Sequence, residues 1–237
     1  MSPQAVEPSR EPVVVVVGAG GAAGRAAVEA IRDTGRTVCA VDLQAPAIEG
    51  VASYAADVST REGAAQLGAR IRADHGSVDV LVHLIGGWRG GKGFTANTDE
   101  DWEFLSTLLI DTLRHTTREF HDDLVASPAG RAFIVSATAA KKPTPGGANY
   151  AMAKAASETW MQALAASFAK LQGSDLRAAS TVLVIKALVH DAMRAADPDK
   201  QFPGFTDVRD LAQEFVRLLD ADAALINGAR LDLTGAS

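Results

Sequence analysis

Val13-Val14-Val15-Val16-Val17-Gly18-Ala19-Gly20-Gly21-Ala22-Ala23-Gly24 decides how this chain is read. Five β-branched residues in an unbroken run are what a strand buried on both faces of a parallel sheet requires. The glycines that follow stop the strand, and an alanine-rich helical pattern begins at once. Strand, glycine turn and helix in that order form the context of a phosphate-binding turn. Gly18 permits the tight turn. Gly20 and Gly21 let an anion approach the backbone, and Gly24 lets the helix pack close to the strand. The helix N-terminus adds free N–H groups and a positive dipole.

The next apolar run, 37–41, ends at Asp42. A carboxylate at the end of the second strand accepts hydrogen bonds from the ribose hydroxyls of a dinucleotide and repels a 2′-phosphate. This favours NAD(H) over NADP(H). Arg25 and Arg36 are the nearest cations in sequence, and neither directly follows Gly18 or Asp42.

Apolar runs and helical patterns alternate along the rest of the chain. Strands are expected at 53–55, 78–85, 132–136, 181–185 and 230–233. Helices are expected at 22–34, 61–73, from Asp99 or Asp101 to 125, at 147–171 and at 208–219. Ser59 or Thr60 is placed to cap the second helix. The Gly-rich stretch 88–97 reads as a mobile loop. Segment 187–205 has no clear period and reads as a flap. The alternation predicts an α/β, Rossmann-type doubly wound and mostly parallel sheet with helices on both faces. Residues 13–237 form a single dinucleotide-binding catalytic domain in this reading, and 1–12 form a flexible N-terminal tail.

Within the longest helix stand Tyr150 and Lys154, four residues apart and therefore on one face. An ammonium beside a phenol lowers the Tyr pKa from about 10 and equips the pair for acid–base work.

Composition excludes several alternatives. The chain has 237 residues, enough for one large domain, and 23 Lys and Arg against 29 Asp and Glu give a net charge of -6. That balance argues against nucleic acid as a partner. Cys39 is the single cysteine, so no internal disulfide or cysteine metal cluster can form. The histidines 75, 83, 115, 121 and 190 lack metal-ligand spacing, and no metal is expected. The run Val13–Val17 is far too short to span a membrane, which takes roughly 20 residues. The N-terminus lacks a secretory h-region, and a cytoplasmic protein is expected.

Taken together, these motifs resemble the short-chain dehydrogenase/reductase family from Val13 to about Gly235. The Gly-rich turn, Asp42, Asp57-Val58, Gly86, Trp102 after an acid, and Tyr150-x-x-x-Lys154 carry the resemblance. It implies adenine contact at Asp57 and Val58, a cofactor cleft at Gly86, proton transfer by Tyr150, and a ribose-holding Lys154 that lowers the Tyr150 pKa. It also implies a homodimer or homotetramer built on the two long helices.

The sequence departs from the family at five places. The threonine before the first glycine is Val17. The Asn-Asn-Ala-Gly after the fourth strand reads His83-Leu84-Ile85-Gly86. The central-helix asparagine falls at Leu109, and the Pro-Gly after the sixth strand reads Lys186-Ala187. The serine thirteen residues before the tyrosine is Ala137, which removes one donor at the reacting centre. Ser136 and Thr138 flank it, but on a regular strand they point to the other face. Alanine at that position, the Gly turn and Gly86-Gly87-Trp88 are similar to the dihydropteridine reductase branch, as is 189–193.

Trp88, Phe94, Met193, Phe202 and Phe205 are placed to form an apolar lid over the site. His83 reads as a packed neutral histidine. Two functions follow: an NAD(H)-dependent oxidoreductase acting on a small carbonyl, alcohol or quinonoid substrate, or a redox-inactive NAD(H)-binding sensor or scaffold.

Overall fold

The computed structural model describes residues 11–235. The expected N-terminal tail lies, for residues 1–10, outside the described residues. Seven parallel strands form the central sheet, in the order β3-β2-β1-β4-β5-β6-β9. They are β1 (Val13–Val17), β2 (Thr37–Asp42), β3 (Ala52–Ala55), β4 (Val80–His83), β5 (Arg131–Ala137), β6 (Ala179–Ile185) and β9 (Arg230–Asp232). A separate short pair joins β7 (Leu188–Val189) to β8 (Thr206–Asp207). The order reverses between β1 and β4, which is where a doubly wound sheet opens a ligand crevice.

The all-valine β1 is an interior strand, paired with β2 on one side and β4 on the other. Val13, Val15 and Val17 pack toward Ile71 of α2 (Arg61–His75), Phe120 of α4 (Thr112–Ala126) and Phe168 of α5 (Ala148–Gln172). Val14 and Val16 face the opposite layer, against Ile31 of α1 (Ala22–Arg32) and Phe215 of α7 (Val208–Leu219). Alternation along one strand thus feeds two cores.

Boundaries differ from the sequence reading in physically interpretable ways. Thr60, not Ser59, caps α2 by accepting the Gly63 amide at 3.0 Å. The central helix opens under a Thr98 cap as α3 (Asp99–Ser106) and widens into a π segment, Thr107–Asp111, before α4. The stretch 88–97, expected as a mobile loop, is a loop with one short turn, Phe94–Ala96, and it is anchored at two points. Gly91 N–H donates to Gly146 O at 2.8 Å, and Asn97 bridges the Phe94 and Pro145 carbonyls. Segment 187–205 carries regular structure in α6 (Asp191–Ala196), and β7 pairs with β8 beyond it. No helix among the described residues is long and apolar enough to cross a membrane.

Phe215 is fully buried with its ring 5.7 Å from that of Phe133. Replacing it with Ala should cost about 3–5 kcal/mol of unfolding free energy in urea titrations. A loss below 1 kcal/mol would show that the α7 layer does not carry the core as described.

Candidate active site

All strands of the sheet run parallel, so their C-terminal ends share one edge, and the candidate residues gather there. The turn after β1 is shaped by two glycines. Gly18 adopts φ +87°, and a Cβ there would stand 2.7 Å from the Ile85 nitrogen. A Cβ on Gly24 would stand 2.2 Å from the Gly18 carbonyl oxygen. No side chain fits at either place, so α1 begins directly against the strand end. Gly21 is its N-cap and offers no side-chain acceptor, which leaves the first-turn amides turned to the cleft. This cradle fits a pyrophosphate.

Two cavities meet at the turn and share Gly18, Gly21, Leu84, Ile85 and Gly86. The one on the β2 side, of about 630 Å³, is lined by Asp42, Asp57 and Val58. The Asp42 carboxylate accepts from the Gly20 amide at 2.8 Å and from the Leu43 amide at 2.7 Å. Asp57 accepts from the Ser59 amide and hydroxyl. Arg36 pairs with Asp220, and Arg25 donates to the Gly20 and Ala47 carbonyls. Among the described residues no lysine or arginine lines this cavity.

The second cavity, of about 670 Å³, is lined by Gly24, Gly86, Tyr150 and Lys154. Lys154 is buried and donates from Nζ to the Val135 carbonyl at 2.8 Å. Burial pulls its pKa down to about 8, against an opposing pull from Glu158. Tyr150 is pushed up to about 12 by burial. The expectation that Lys154 lowers the Tyr150 pKa is therefore corrected for this structure. Desolvation of the phenolate outweighs the ammonium, whose Nζ lies 5.9 Å from the Tyr150 ring centre and is tied to a carbonyl.

Ala137 is buried in the cavity wall. Neither flanking hydroxyl replaces the missing one. Ser136 donates to Glu158 Oε1 at 2.6 Å, and Glu158 is held in turn by Arg230 at 2.9 Å. Thr138 does not line the cavity. Leu109 sits in the π turn, and its carbonyl accepts from Ser157 Oγ at 2.9 Å. His83 is buried between the hydroxyls of Thr112 and Thr116, each 3.2 Å from a ring nitrogen. Burial lowers its pKa to about 3, so it is neutral.

Of the five residues placed in a lid, only Trp88 lines the cavity. Phe94 is exposed to solvent, and Phe202 pairs with Phe205. Sequence reading missed Glu158 and Arg230, which are far apart in the chain and meet only when β9 joins the sheet. In the sequence Lys186 is only a departure from a pattern, yet it lines the cavity together with His190. Among the described residues no cluster of three His, Cys, Asp or Glu forms a metal site.

Residues 12–174 match the family described as short chain dehydrogenase. The chain belongs to that family, whose members are nicotinamide-dependent oxidoreductases. Acetoacetyl-CoA reductase of Allochromatium vinosum is 31% identical over 124 residues, covering 52% of this chain and 50% of that protein. The chain thus spans only half to three-fifths of the length of the first curated relatives that it matches. An NADPH-bound short-chain oxidoreductase of Pseudomonas aeruginosa with an atypical catalytic center superposes with TM-score 0.79 at 19% identity, covering 97% and 99% of the two chains. A 3-ketoacyl-(acyl-carrier-protein) reductase from Brucella melitensis complexed with NADH gives TM-score 0.79 at 20% identity, over 94% and 97%. These structures share the fold, and their cofactors differ.

Lys154 provides a test of the cavity's electrostatics. Its folded pKa lies below the ordinary 10.5. The unfolded chain therefore holds more protons between about pH 8 and 10.5, and stability rises with pH across that window. Urea unfolding at several pH values should show this rise in the wild type and a flatter profile in Lys154→Met. An unchanged rise in the variant would mean that the buried lysine is not its source.

Proposed function

We propose that the protein is an NAD(H)-dependent oxidoreductase acting on a small carbonyl, alcohol or quinonoid substrate. The observation that carries this reading is a single cavity with the Gly18–Gly24 turn on one wall and Tyr150 and Lys154 on another. A nicotinamide dinucleotide bound in this cleft supplies or accepts the hydride. Tyr150 donates or takes the proton at the substrate oxygen or nitrogen. Lys154 holds the ribose. With no hydroxyl at 137, Tyr150 is the sole side-chain hydroxyl donor assigned to the reacting atom. A substrate with a delocalised quinonoid system, as in the dihydropteridine reductase branch, suits that economy. α4 and α5 supply the surface for a homodimer or homotetramer.

Asp42 supports NAD(H). Its side of the cleft offers carboxylates and no cation to a 2′-phosphate. Fluorescence titration should give NADH at least tenfold tighter binding than NADPH, and Asp42→Ala should narrow the ratio. Equal affinities in the wild type would contradict the assignment.

The competing reading, a redox-inactive NAD(H)-binding sensor or scaffold, draws on Ala137 and on the diversion of Ser136 to Glu158. Turnover of ketones, alcohols and quinonoid pterins separates the two. Tyr150→Phe should lose at least 100-fold in turnover while NADH binding stays within about threefold. Wild-type turnover in that variant would remove Tyr150 from the chemistry.

A further inference from the structure

The two arms of the cleft carry opposite charge. On the β2 side the lining includes Asp42, Asp57 and Glu103 and, among the described residues, no lysine or arginine. On the Tyr150 side it includes the lysines Lys154 and Lys186, His190 and the neutral His83, and among the described residues no aspartate or glutamate. The chain as a whole is acidic, at -6, so the reversal is local.

Two of these four side chains are committed. Lys154 is bound to the Val135 carbonyl, and His83 is enclosed by two threonine hydroxyls. The other two are not. Lys186 directly follows β6, and its Nζ donates only to the Pro203 carbonyl at 2.8 Å, with the Phe205 ring centre at 5.7 Å. No carboxylate among the described residues forms an ion pair with it. The neighbouring carboxylates of this region are already engaged: Asp207 is held by Arg194 at 2.7 Å, and Asp191 is paired with Arg209. The ring of His190 makes no hydrogen bond among the described residues. An ammonium with a single neutral acceptor retains two N–H donors, and a carboxylate is its strongest partner.

We infer that this arm selects a substrate bearing a carboxylate, with Lys186 as the anion-binding residue and His190 as a second donor. The substrate class is then a small oxo acid or hydroxy acid whose reacting carbon lies toward Tyr150. The inference rests on the oxidoreductase reading for the chemistry, but the anion site itself does not. The phosphates of a dinucleotide are the competing source of negative charge, and the Gly18–Gly24 turn already provides for them.

Calorimetric titration of the NADH-loaded protein with acetoacetate, 2-oxobutanoate and their methyl esters tests this. At least one acid should bind tenfold or more tightly than its ester. Lys186→Met should erase that preference while NADH affinity stays within twofold, and Lys186→Arg should keep it. Equal binding of acid and ester, no detectable acid binding, or a preference that survives Lys186→Met would overturn the inference. So would a loss of NADH affinity in Lys186→Met that matches the loss of acid affinity, since Lys186 would then read the cofactor. If an acid binds as expected but never oxidises NADH, the anion site stands and the oxidoreductase reading fails.

Discussion

Every strand of the central sheet points the same way, and the site depends on that constraint. Parallel pairing puts the loops after β1, β2, β4, β5 and β6 on one edge. The valine run of β1, an interior strand of the sheet, is buried on both faces, so the turn at its end is held by both cores at once. Gly18 and Gly24 then bring α1 up to the strand with no space for a side chain between them. Loss of close packing in either core would loosen the position of that turn before it changed any residue of the cleft.

The other wall is fixed by α5. Lys154 and Glu158 lie one helical turn apart and grip consecutive residues of β5: Lys154 bonds the Val135 carbonyl and Glu158 accepts from the Ser136 hydroxyl. Arg230 from the sheet edge secures Glu158. These contacts hold Tyr150 against the end of β5, where Ala137 takes the place of a hydroxyl. They also explain why the adjacent serine does not substitute. Its hydroxyl is consumed in a half-buried ionic network, and releasing it would leave Glu158 short of a partner.

The sequence revealed the architecture because its signals were local. A valine run, a glycine turn and an acid at the end of the second strand each report on a few neighbouring residues, and the alternation of strands and helices implies the doubly wound, mostly parallel sheet. Tyr150 and Lys154 were legible for the same reason. What escaped was non-local. The Ser136–Glu158–Arg230 network joins β5, α5 and β9, and no spacing announces it. The raised Tyr150 pKa was missed because a one-turn spacing suggests a charge effect and conceals the desolvation that opposes it. The anchoring of 88–97 was missed because glycine content speaks of backbone freedom. It says nothing of the Pro145–Gly147 turn that binds the segment. Lys186 looked like an imperfect motif, and only the cleft gave it a role.

The central claim is that a dinucleotide lies across this edge with its adenosine at Asp42 and its nicotinamide at Tyr150. A crystal structure determined with NADH tests it most directly. The account predicts the adenosine ribose hydroxyls within hydrogen-bond distance of the Asp42 carboxylate and the nicotinamide ribose at Lys154. It also predicts the reactive ring face open toward Tyr150. A dinucleotide bound in the reverse direction, or one whose nicotinamide lies away from Tyr150, would contradict it.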